Sequence, residues 1–151
     1  MSFILAAERD DDCSGAFRRY REYLLSTKTS FPPNAYALAT SDWYFDFTSR
    51  GCPHDALLQS ITISDSSSTE HVPPSITIRL RAAKHPGVIQ FYYPHVFSYQ
   101  LTYDGQNYGH QDWRYDEFRL ADNGHLIHEI EWCGAIDTGR WLIEATDVIH
   151  S

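Results

Sequence analysis

Positive charge is scarce in this chain. Its 151 residues include 12 Lys and Arg against 20 Asp and Glu, a formal net charge of −8. Binding along a nucleic-acid backbone needs cations that replace counterions, so that class of partner is not expected. A basic protein partner is, because an acid excess steers one in. Long apolar runs are missing too. The opening "MSFILAAERDDD" holds one apolar run, residues 3–7, with no cation before it beyond the amino terminus. Signal peptides need a longer stretch and transmembrane helices about 20 residues, so neither a targeting segment nor a membrane partner is expected. Cysteine is sparse: Cys13, Cys52 and Cys133 are odd in number and form no CxxC pair. That excludes a disulfide framework and a zinc knuckle, and a reducing cytoplasm is the expected compartment. Walker, G-x-G-x-x-G and G-x-S-x-G motifs are also missing. Nothing ties Cys52 or Cys133 to a base. Cys52 precedes His54 by two positions, which leaves a reactive thiol open beside the more common buried one.

Aromatic and apolar residues are abundant, at 15% and 42% of the chain. That content suits a single domain, residues 1–151, with a sizeable core. Residues 13–40 read as helical: Phe17, Tyr20, Tyr23 and Leu24 recur at helical spacing after Ser14, a candidate cap, and Pro33 suits the first turn of a second helix. From about residue 55 to 150 the period becomes two. "LLQSITIS", "SITIRLRA", "VIQFYY", "VFSYQLTY", "DWRYDEFRL", "HLIHEIEW" and "RWLIEATDVI" each read as a strand. Pro94 implies an edge, a bulge or a change of strand partner. Asn123-Gly124 is a hairpin signal. The expected fold is α+β, with N-terminal helices covering one face of a mostly antiparallel, curled or split sheet of about six to seven strands.

Three stretches carry groups capable of chemistry. In "DNGHLIHEIEW", His125 and His128 are three apart, whereas zincins place histidines four apart on a helix. In a strand, positions three apart lie on opposite faces. His128 then joins Leu126, Ile130 and Trp132 in an apolar row as a hydrogen-bonded core histidine. Glu129 and Glu131 share the other face, with Arg114 or Arg119 as cross-strand partners. In "CPHDALL", His54 and Asp55 resemble half of a phosphohydrolase metal pair; the alternative is Asp55 accepting backbone N–H groups at a strand entrance. In "GHQDWRYDEF", His110, Asp112, Asp116 and Glu117 offer oxygen and nitrogen ligands without converging locally. Asp104 and Gly105 in the preceding turn are needed to complete such a site. Alternation places Trp113 and Tyr115 on one face, which is either core or an aromatic-acidic contact surface of the kind that dominates protein interfaces.

"CPHDALLQSITIS", followed by "ITIRL", "GVIQFYYPHV" and a late hairpin, resembles small bacterial immunity proteins of polymorphic toxin systems. The resemblance covers residues 52–148 and rests on His54, Asp55 and Ala56 opening an antiparallel sheet. It implies a protein that neutralises a toxin by binding it, with no catalytic residues. The leading expectation is therefore a non-enzymatic protein-binding module, without a cofactor, that meets a basic toxin through Trp113, Tyr115, Asp116 and Glu117. The alternative is a metal-dependent hydrolase or small-ligand enzyme using His54, Asp55, His110 and Asp112. The sequence leaves the oligomeric state open.

Overall fold

The computed structural model describes residues 1–65, 71–103, 109–133 and 139–151. It begins with a 3₁₀ turn, Ala7–Asp10, followed by helices α1 (Cys13–Ser26) and α2 (Pro33–Ala39). The cap of α1 is Asp12, not Ser14: its carboxylate accepts the Gly15 N–H at 3.0 Å, and Ser14 lies inside the helix. A Cβ at position 15 would run into that carboxylate. Pro33 is the first residue of α2, as its missing N–H favours. The N–H groups of Asn34 and Ala35 donate to Asp147, more than a hundred positions away, at 3.1 and 2.9 Å. A carboxylate from the far end of the chain thus satisfies donors that the helix leaves unpaired.

Among the described residues, eight strands form two four-stranded antiparallel sheets, so the expected sheet of six to seven strands is split and not curled, and has more strands. The first sheet has β1 (Leu57–Ser64), β2 (Ser75–Arg81), β3 (Val88–Tyr93) and β8 (Ile149–His150), in that order. The second has the order β4 (Val96–Leu101), β7 (Arg140–Ala145), β6 (Leu126–Trp132) and β5 (Trp113–Leu120). Pro94 marks a change of partner: β3 ends at Tyr93 in one sheet and β4 begins at Val96 in the other. The last expected strand divides because Asp147 leaves the ladder to hold α2, and its tail, Ile149–His150, returns to β3.

Alternation fills the space between the sheets. Ile76, Ile78 and Leu80 of β2, and Ile89, Phe91 and Tyr93 of β3, are buried. So are Leu126, His128, Ile130 and Trp132 of β6 and Trp141, Ile143 and Ala145 of β7. Phe91 stacks on Trp113 with centroids 5.2 Å apart, which joins the two inner faces. The helical layer docks along the outer strand β5, not over a sheet face. The Tyr20 hydroxyl accepts the Phe118 N–H and donates to the Phe118 carbonyl, both at 2.8 Å, and the Tyr23 hydroxyl accepts the Leu120 N–H at 2.8 Å. At the other end of β5, Trp113 exchanges backbone bonds of 2.8 Å with Ala56 and Asp55. α2 reaches both β5 and β8. Among the described residues, no helix is long and apolar enough to cross a membrane.

Candidate functional site

His128 is the centre of a buried polar chain that links the two sheets. Its Nδ1 lies 2.5 Å from the Tyr93 hydroxyl on β3, and its Nε2 lies 2.7 Å from Asp116 Oδ2 on β5. Asp116 also accepts from the Tyr44 hydroxyl at 2.6 Å and from Trp113 Nε1 at 3.1 Å. Phe118 stacks on the imidazole, with centroids 4.2 Å apart. Burial pushes the Tyr44 and Tyr93 hydroxyls well above the usual phenol range, the Asp116 charge adding to it, so both remain donors. A tyrosine, histidine and aspartate in line resemble a proton relay in composition. Here every member is shut away from solvent, so the arrangement pins β3, β5 and β6 together and presents no reactive atom.

The surface assigned to Trp113, Tyr115, Asp116 and Glu117 takes a different form. The β5–β6 register shifts between Trp113 and Tyr115, so Arg114 is an extra residue and alternation fails across it. Trp113 therefore points inward beside Asp116, and both are buried. Tyr115 is half-buried beneath Arg9, whose guanidinium carbon sits 4.3 Å from the ring centroid. Glu117 is on the outer face but is fully covered. The backbone N–H groups of Phe3, Ile4 and Leu5 converge on its carboxylate at 3.1–3.4 Å, and Arg119 pairs with it at 3.1 Å. Burial still outweighs these donors and raises its pKa.

Around that contact the outer face alternates in sign. Arg119 pairs diagonally across the strands with Glu129 at 2.7 Å, since Glu117 stands directly opposite Glu129. Glu131 meets Arg9 at 3.3 Å, Arg140 at 3.1 Å and Arg114 at 3.6 Å. Arg140 also donates to the Leu5 carbonyl at 2.9 Å. Residues 3–10 are thus a strap fastened across β5 and β6, a feature the sequence alone did not reveal.

Of the four residues of the metal alternative, His54 and Asp55 meet, Nε2 to Oδ1 at 3.5 Å, but among the described residues no third joins them. His54 Nδ1 donates to the Arg114 carbonyl at 2.5 Å, and its ring stacks on Phe47 at 4.1 Å. Asp55 adopts a left-handed φ of 68° and pairs with Lys84 at 3.3 Å. It donates its N–H to Trp113 and accepts from a side chain, not from backbone amides as expected. His110 packs against Trp132 and Trp141 with centroids 5.2 and 5.0 Å away, and Asp112 bridges to Leu57 through the backbone. Asp104 and Gly105 lie outside the described residues. Among those described, no three His, Cys, Asp or Glu side chains are placed to hold a metal ion. Cys52 is buried, and burial pushes its thiol up to about 11, which leaves the protonated, unreactive form at neutral pH.

Exposed aromatic side chains lie elsewhere, on β4. Phe97 and Tyr99 are 46% and 42% exposed, and Ser98 and Gln100 between and beside them are open as well. Phe97 stacks on His125 at 3.8 Å, and His125 in turn contacts Glu144 at 2.8 Å. The signal was in the sequence: "VFSYQL" has no charged residue, although a strand with one wet face normally carries some. A second apolar feature is a cleft of about 410 Å³ between α1 and residues 39–46, lined by Phe17, Leu24 and Phe45 and rimmed by Arg21, Asp42 and Asp46. The chain matches no family model, no curated protein and no solved structure.

Proposed function

We propose that this chain is a non-enzymatic protein-binding module of the cytoplasm, acting as an immunity protein that captures and neutralises a basic toxin. The observation that carries the reading is the pair Phe97 and Tyr99, both well exposed on a strand at the end of its sheet. Exposed aromatic residues anchor protein interfaces because they bury a large area at little cost in side-chain freedom. The net charge of −8 supports a basic partner, since complementary charge speeds encounter. The resemblance of residues 52–148 to immunity proteins supplies the biological role. The contact surface moves from β5 to β4, because Trp113, Asp116 and Glu117 are occupied within the fold.

The test is growth of a host expressing the reading frame adjacent to this one, with and without this chain. The expected result is toxicity that co-expression relieves and a stoichiometric complex on purification. The double variant Phe97→Ala, Tyr99→Ala should weaken that complex by about 2 kcal/mol or more, roughly 30-fold, at hot-spot values. A harmless neighbour, or one that this chain neither binds nor neutralises, overturns the immunity role.

A further inference from the structure

We infer that the outer edge of β4 receives an extended segment of the partner bearing lysine or arginine, which joins the second sheet as an added strand. The inference rests on the protein-binding reading above and names its surface and its mode.

Three observations carry it. First, among the described residues β4 pairs with β7 alone: the Val96 N–H is taken by the Pro74 carbonyl at 2.8 Å, and from Ser98 to Leu101 the outward N–H and C=O groups have no ladder partner. Second, the strand carries no guard of its own. Natural sheets protect end strands with charges, prolines or a covering element, yet Val96–Leu101 contains neither a charged residue nor a proline. The opposite end of the same sheet shows the usual protection, where the hydroxyls of Tyr20 and Tyr23 and the backbone of Asp55 and Ala56 occupy the outer side of β5. In the other sheet, β8 has two residues, and β1, though also without charge or proline and regular from Ser60 to Ser64, carries no aromatic residue to anchor a partner. The break in β4 lies at its entrance, between Val96 and Ser98, so Ser98–Leu101 runs on regularly.

Third, the charge selects the occupant. Two copies of a chain with a net charge of −8 repel each other, which disfavours β4 pairing with itself. A cationic strand is attracted over the whole surface. Beside the edge it meets the exposed rings of Phe97 and Tyr99, whose faces take up ammonium and guanidinium groups. Hydrogen bonding supplies affinity, and side chains at alternate positions supply choice of partner.

The experiment uses the full chain, ¹⁵N-labelled, with two short blocked peptides as probes, one alternating lysine with valine and the other glutamate with valine. Amide hydrogen exchange is read residue by residue. The lysine peptide should slow the outward amides of residues 97–101 by about 10-fold or more, while the glutamate peptide leaves them unchanged. The variant Phe97→Lys, Gln100→Lys should abolish that protection while keeping a single cooperative unfolding transition. Protection on β1, or in the cleft beside α1, overturns β4 while leaving protein binding intact. So does relief of toxicity that persists undiminished in the Phe97→Lys, Gln100→Lys variant. Slowing that depends on protein concentration without peptide assigns the edge to a second copy and overturns the proposal. Slowing by neither peptide, or equally by both, also overturns it.

Discussion

His128 Nε2 and Asp116 Oδ2 stand 2.7 Å apart in the space between the two sheets, both buried, and three donors in all converge on the Asp116 carboxyl group. Asp116→Ala leaves the Tyr44 hydroxyl, Trp113 Nε1 and His128 Nε2 without an acceptor. Each stranded buried donor costs about 1–3 kcal/mol, so the total is a large part of the stability of a domain this size. Tyr93→Phe strands a single imidazole nitrogen and should cost about 1–2 kcal/mol. Urea denaturation gives the order directly. If Asp116→Ala were no worse than Tyr93→Phe, the network would not be what holds these strands together.

The Tyr20 hydroxyl serves as both partners of Phe118 on the outer edge of β5, accepting its N–H and donating to its carbonyl. Tyr20→Phe preserves the ring packing and leaves both backbone groups buried and unpaired. A loss of about 1–3 kcal/mol follows, and faster amide exchange should be confined to β5. The opened edge should also increase association at high protein concentration, since an uncovered end strand templates pairing. Light scattering and exchange of the Phe118 amide test both parts; unchanged exchange there would mean that water replaces the tyrosine without penalty.

Sequence patterning reached the parts of this fold whose cause is local. The core position of His128 was legible because alternation runs unbroken from the Asn123-Gly124 turn to Trp132. The separation of Trp113 from Tyr115 was not, because one extra residue at Arg114 reverses the count and nothing nearby in sequence announces it. Glu117 reads as an open carboxylate on a strand, and only a strap joined to it from 112–114 positions away hides it. The division of the last strand depends on Asp147 serving a helix N-terminus at the other end of the chain. The edge of β4 lay in between: its missing charges were visible, but which strand ends a sheet is a matter of topology.

Glu117 gives the strap a pH dependence of definite sign. Burial raises its pKa above the ordinary value of 4.5, so the folded chain holds that proton more tightly than the unfolded one. Its contribution is complete below the unfolded value and is lost as pH rises through the folded value. Glu117→Gln removes the titration. The stability of the wild type relative to this variant should therefore decline as pH rises from about 4 towards neutrality. Denaturant midpoints measured across that range, with exchange at Phe3, Ile4 and Leu5 followed in parallel, test it. A difference that grows with pH would show that the amides and Arg119 outweigh burial.

His150 should titrate with the opposite consequence. Among the described residues its Nε2 is buried without a hydrogen-bond partner, amid the rings of Trp43, Tyr44 and Phe91 at 5.1, 6.4 and 5.3 Å. Burial lowers its pKa below 6.5, against a smaller upward pull from a Gly51 backbone hydrogen bond and the charge of Asp116. A base with a depressed folded pKa binds protons more readily when unfolded, so its contribution is present above 6.5 and is lost as pH falls through the folded value. His110, also depressed by burial, adds to that acid-side loss. His150→Phe fills the same aromatic site without a titrating group and should flatten the wild-type decline between about pH 7 and 5, leaving the part due to His110. His150→Phe combined with His110→Phe should flatten it further. Parallel stability curves for the wild type and His150→Phe would show that the imidazole stays as accessible to protons in the folded chain as in the unfolded one.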